Sequence, residues 1–291
     1  MRWGDMRRSE NIEDRTGEGG GRSPFGGGMR LSGGALIVVV ILSLLFGVNP
    51  MQFLGMMEEG PIVGQQPMPG GAQPHTGAPD PKEDFVARTL GDTEDVWTAR
   101  FQAMGGRYEP PKLVLNAHGT RSACGMVNAA VGPFYCPGDQ KVYLDTAFFS
   151  QLSRRFGAPG DFAAAYVVAH EIGHHVQNQL GTMQKYDQAA ARMNERERNA
   201  LSVRLELQAD CYAGVWGHYA AQRKLIDAND IEQGLRAAAA VGDDAIQQRT
   251  QGQVVPDAFT HGRSEQRARW FREGLASGDP RSCNTFAAKD L

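Results

Sequence analysis

The chain has 291 residues and a formal net charge of −3, with 30 Lys plus Arg against 33 Asp plus Glu. So balanced a set cannot build a long basic face, so no nucleic-acid partner is expected. The 36 glycines and 15 prolines make up about 18% of the whole, below the roughly 25–30% of low-complexity chains. They cluster, however: residues 1–81 hold 17 Gly and 8 Pro, about 31%. A uniform globular chain and a wholly disordered one are both excluded, and the 210 remaining residues are enough for one domain with a real core.

In chain order, residues 1–30 read as a disordered, Gly-rich tail. Residues 31–48, LSGGALIVVVILSLLFGV, carry no charge. They are long enough to cross roughly 30 Å of hydrocarbon as one helix. Thirty residues precede this run, unlike the short basic start of a cleaved signal peptide, so an uncleaved signal-anchor is expected. Arg2, Arg7, Arg8, Arg15, Arg22 and Arg30 lie before it, and no Lys or Arg falls between Asn49 and Pro81. The positive-inside rule then predicts a single pass through the membrane, with the N-terminus cytoplasmic and everything after residue 49 outside the cytoplasm. Residues 49–81 are rich in breakers and read as a flexible linker in which His75 has no special part. Cys124, Cys136, Cys211 and Cys283 all follow the apolar run, which suits an oxidising compartment and two disulfides. Local closure favours Cys124 with Cys136, leaving Cys211 for Cys283, whereas a thiolate zinc site lacks any CxxC pair.

Residues 82–291 form the expected soluble domain, α+β with helices dominant and a small sheet. A helix is predicted near 83–103 and strands at 112–115 and 141–145, with a long loop or irregular hairpin between the strands. Helices follow at 148–156, 161–180, 186–224, 229–248 and 264–276. Within the second of these stands HEIGH. Residues four apart share a helix face, so His170 and His174 can reach one cation while Glu171 projects beside them. The neighbours Tyr166, Val167, Val168, Ala169 and Ile172 are apolar, and a buried helix carrying two His and a Glu needs a partner for them. A catalytic zinc takes three protein ligands and a water. Downstream, Glu206 and Asp210 are four apart among Leu205, Leu207, Ala209 and Tyr212. Glu206 suits a third ligand, and Asp210 an acceptor that orients one imidazole.

The segments HEIGHH, ELQADCYAGVW and FTHGRSEQR, preceded by VGPFYCPGDQKVYLD and by the opening MRWGDMRRSENIEDRTGEGGG, resemble the membrane-anchored neutral zinc metallopeptidase family of bacteria. The resemblance covers nearly the whole chain. It implies one Zn2+ per chain held by His170, His174 and Glu206, Glu171 as the catalytic residue, and a zincin-like layout similar to the Glu-ligand group typified by thermolysin. On that likeness His261 is the candidate donor to the oxyanion, since such sites use a downstream His supported by an Asp.

The expected function is therefore a membrane-anchored peptidase in which Glu171 is general base to a zinc-activated water, acting on peptide or protein substrates. A zinc-binding scaffold and a zinc hydrolase of non-peptide substrates are the alternatives. Other features read as structural. His175 points about 100° away from the ligand face, His218 suits a satisfied core residue, and His118 sits in a Gly-flanked loop. The run RMNERER at 192–198 reads as a solvated helix face.

Overall fold

A computed structural model of the protein describes residues 1–17, 80–117, 119–127, 132–156 and 160–291. The N-terminal segment holds a 3-10 turn, Trp3–Asp5, and strand β1, Ile12–Asp14. Then come α1 (Pro81–Ala103), β2 (Lys112–Asn116), β3 (Thr120–Ser122), β4 (Gly125–Val127), β5 (Phe134–Cys136) and β6 (Lys141–Asp145). The C-terminal half is helical: α2 (Phe148–Phe156), α3 (Asp161–Gln179), α4 (Thr182–Ala190), α5 (Glu195–Gln222), α6 (Ala228–Ala240), α7 (Asp243–Gln251) and α8 (Ser264–Ser277).

The α+β expectation holds. Four strands form a sheet in the order β1-β2-β6-β5, with β1, β2 and β6 parallel and β5 antiparallel on β6. Leu113, Val114 and Leu115 of β2 and Val142, Tyr143 and Leu144 of β6 are all buried, as expected of a sheet covered on both faces. Strands β3 and β4 form a separate hairpin, the second of the two alternatives expected between the predicted strands. The disulfides join Cys124 to Cys136 and Cys211 to Cys283.

Two long helices expected from the sequence are each broken. The 186–224 stretch is divided between α4 and α5 because Asn194 and Glu197 form a capping box that starts α5 afresh. Residues of RMNERER therefore lie at this break, and Arg198 donates to the Met193 carbonyl. The 229–248 stretch divides at Val241 and Gly242, where the backbone of Gly242 turns extended and starts α7 afresh; a side chain on Gly242 would collide with Ser264.

Residues 1–17, expected within a disordered tail, are instead packed on the domain: Met6 and Ser9 are buried and β1 pairs with β2. Three residues are too few to show a period, and β1 exists only because β2 offers a free edge about a hundred residues later. The apolar run 31–48, the linker with His75, and His118 lie outside the described residues. Among the described residues, no helix is long and apolar enough to cross a membrane.

The helix α3 runs through the core, where Phe162, Tyr166, Ile172 and Val176 are buried. It packs on α5, which packs in turn on α8. These three helices carry the site.

Candidate metal centre

The crossing of α3 and α5 is set by a glycine. A β-carbon on Gly173 would lie 2.9 Å from the Ala209 carbonyl oxygen and 3.1 Å from its Cα, so only glycine lets the two backbones come this close. Gly173 lies between His170 and His174, and Ala209 between Glu206 and Asp210. Close approach at this point is what brings the four functional side chains together. Gly173→Ala favours the isolated helix by about 1 kcal/mol, yet it forces α3 and α5 apart at the site. We expect zinc affinity, measured by chelator competition, to fall roughly 10-fold or more. An unchanged affinity would remove the glycine from this account.

The structure brings His170, His174 and Glu206 into one cluster whose ligating atoms lie within 4.8 Å of one another. His170 Nε2 is 3.2 Å from Glu206 Oε2, and His174 Nε2 is 3.5 Å from Glu206 Oε1. The three side chains are between 8% and 11% exposed, so the cluster is largely buried. The outward nitrogen of each imidazole is taken. His170 Nδ1 meets Asp210 Oδ1 at 2.8 Å, and His174 Nδ1 meets Gln177 Oε1 at 2.9 Å. With acceptors at both Nδ1 positions, the neutral tautomer carries its proton there, and both Nε2 lone pairs face Glu206. Two nitrogens and a carboxylate converging in this way fit a zinc ion and leave a coordination position open.

Burial is the largest influence on every ionisable group of the cluster. At His174 it prevails and lowers the imidazole to about 4. At His170 it is outweighed by Asp210 and Glu206, which raise the imidazole to about 10. Glu206 is held well below the usual carboxylate range because His174, His261 and His170 outweigh its burial. A field that holds protons this firmly on one imidazole equally favours a cation among the same groups. Glu171 is raised to about 7, by burial and by the nearby Glu206. It is buried on α3, and the Tyr135 N–H of edge strand β5 bonds to it.

Asp210 is more than an orienting acceptor. Arg267 of α8 binds it bidentately, Nε to Oδ2 at 2.8 Å and Nη2 to Oδ1 at 2.9 Å, and the Tyr166 hydroxyl donates to Oδ1 at 2.5 Å. Arg267 is also 4.0 Å from Glu206. His261 is buried with its Nδ1 3.0 Å from Asp243 Oδ1. The other oxygen of Asp243 accepts the backbone N–H groups of Thr260, His261 and Gly262. The supporting acid is thus Asp243, whereas Asp257, nearer in sequence, is exposed beside Arg196.

Two further described histidines are bonded away from the cluster. His175 bonds the Glu109 carbonyl and the Tyr135 hydroxyl, and His218 bonds the Leu275 carbonyl. Sequence reasoning missed Arg267, Asp243, Gln177 and Tyr166. For two of them a signal existed: Tyr166 is four residues before His170 and Gln177 three after His174, on the same helix face.

Two crossed helices, one with His-Glu-x-x-His and the other with a buried Glu and Asp, define a protein of the helix-borne metal-site class. The chain belongs to the family described as "putative neutral zinc metallopeptidase", whose profile matches residues 1–286. It is 46% identical over 291 residues to "Uncharacterized protein YpfJ" of Escherichia coli strain K12, covering 98% of this chain and 99% of that protein. It is 41% identical over 271 residues to "Uncharacterized protein Rv2575" of Mycobacterium tuberculosis, covering 86% of each. No solved structure matches the chain.

Proposed function

We propose that the protein is a zinc-dependent peptidase held at a bacterial cytoplasmic membrane by residues 31–48, with its domain outside the cytoplasm. The observation that carries the activity is Glu171: a buried carboxylate adjoining His170 on α3, beside a His170, His174 and Glu206 cluster whose lone pairs converge. The two disulfides support the compartment.

His170, His174 and Glu206 would hold one zinc ion, which supplies Lewis acidity to a water and to the scissile carbonyl. Glu171 takes the proton of the attacking water and passes it to the leaving amine. His261 donates a hydrogen bond to the oxyanion that forms on the carbonyl. Asp210 and Gln177 keep the imidazoles of His170 and His174 turned inward. Strand β5 ends the sheet beside α3, so its outer edge offers backbone groups on which an extended peptide can lie.

Zinc content and cleavage of a peptide library by the purified full chain, with and without chelator, test the reading. Chelator-sensitive cleavage supports it. Bound zinc with no cleavage of any peptide would instead favour the scaffold. His261 gives a second test. Burial lowers its pKa, but Asp243 and Glu206 outweigh this and raise it. The imidazole therefore keeps its proton to higher pH than a free imidazole does, which predicts an alkaline limb in kcat/KM lying above the ordinary histidine range. His261→Ala should lower kcat by about 10²–10³-fold, keep the zinc and lose that limb. A wild-type profile in His261→Ala would remove the residue from the chemistry.

A further inference from the structure

The N-terminal segment is built into the domain by polar groups that have no other use. Glu94 of α1 is 5% exposed. Among the described residues its carboxylate is bonded only by the N-terminal segment: Ser9 Oγ at 2.7 Å, Asn11 Nδ2 at 2.8 Å and Arg7 Nη2 at 2.7 Å. Residues 1–17 thus both cover this carboxylate and satisfy it, as a buried charge requires. At the other end of the segment, the Met1 amine lies 2.7 Å from Asp230 Oδ1, and the Arg2 N–H donates to the Leu225 carbonyl. Between them, a β-carbon on Gly91 would stand 2.3 Å from the Arg7 carbonyl oxygen. Helix α1 therefore carries a glycine where the segment's backbone lies against it. Strand β1 then continues the sheet in register, Ile12 to Leu113 through Asp14 to Leu115.

A helix that crossed a membrane once between residues 17 and 80 would put these partners on opposite faces. We propose that residues 1–17 are a permanent strand-and-turn of the catalytic domain and lie on the same side of any membrane as the rest of it, in place of the opposite-side orientation expected from the flanking arginines.

The test uses the full chain in its native membrane. Glu10→Cys and Gln251→Cys place single thiols at exposed positions, and a membrane-impermeant maleimide is applied to spheroplasts before and after lysis. Both positions should react from the same side; reaction from opposite sides overturns the proposal. Reaction of both before lysis supports it together with the extracytoplasmic placement. Reaction of both only after lysis supports it equally but refutes that placement. Ser9→Ala, a small change, should lower Tm by about 3–10 °C, because it removes a hydrogen bond to a buried charge. An unchanged Tm also counts against the docked segment.

Discussion

Replacing Glu171 by Gln is expected to lower kcat for peptide hydrolysis by roughly 10²–10⁴-fold while leaving the zinc content unchanged. Gln has the same length and keeps an oxygen for the Tyr135 N–H, so the local fold survives. What it lacks is a basic site able to accept a proton. The substitution also has a stability signature independent of activity. In the chelator-stripped protein, burial raises Glu171 to about 7 from an unfolded value near 4.5. The folded state therefore holds this proton more tightly than the unfolded one. Below pH 4.5 both states are protonated and the residue costs nothing. Between pH 4.5 and 7 the unfolded state ionises while the folded state still holds its proton, so the cost builds to on the order of 3 kcal/mol and levels off above 7, where the folded state buries the charge. Glu171→Gln should therefore melt higher than the parent at pH 8 and together with it at pH 4. Equal Tm values at pH 8 would show that Glu171 is solvated when the metal is removed. Retained hydrolysis in Glu171→Gln would end the general-base assignment outright.

The parts of the site that were legible in the sequence are those whose geometry is local. His170 with His174, and Glu206 with Asp210, are each four apart on one helix, and helical spacing alone places them on a common face. Apolar flanks then say that the face is buried. The disulfide pairing followed from chain closure. What was not legible depends on contacts across the fold. Arg267 lies in a helix beginning SEQRARWFREGL, where a basic residue looks like one more solvent charge. Only the packing of α8 on α5 makes it a buried partner of Asp210. Asp243 becomes the support of His261 because the chain between α7 and α8 folds back over it, so that one carboxylate oxygen gathers three consecutive N–H groups. Strand β1 is the extreme case. Its residues, Ile12 to Asp14, have no apolar alternation, and the arginines around them suggested a tail beside a membrane. Their meaning is set by the edge of β2 and the carboxylate of Glu94, both far along the chain.

Removing Arg267 should cost more stability than any other single change near the metal centre. Asp210 is completely buried; burial on its own would raise its pKa, and Arg267 is the largest influence holding it down, followed by His170. Arg267→Leu leaves that charge with only the Tyr166 hydroxyl and the His170 ring, and breaking a buried pair from one side costs about 3–5 kcal/mol. For a domain of this size that is a Tm lower by about 6–20 °C. Two effects on zinc oppose each other. Taking a positive charge from near Glu206 favours a dication by simple Coulomb attraction. Without Arg267, however, Asp210 takes up a proton more readily and no longer accepts firmly from His170 Nδ1. Protonation of Asp210 cancels the charge gained, so the loss of orientation decides the outcome. Zinc affinity should then fall roughly 10–100-fold. Arg267→Lys should recover little, because a point charge cannot grip both carboxylate oxygens. If Arg267 acts through Asp210, its substitution should have a much smaller further effect on zinc affinity in an Asp210→Asn background. Additive losses in the double mutant would show instead that Arg267 acts directly on Glu206, 4.0 Å away.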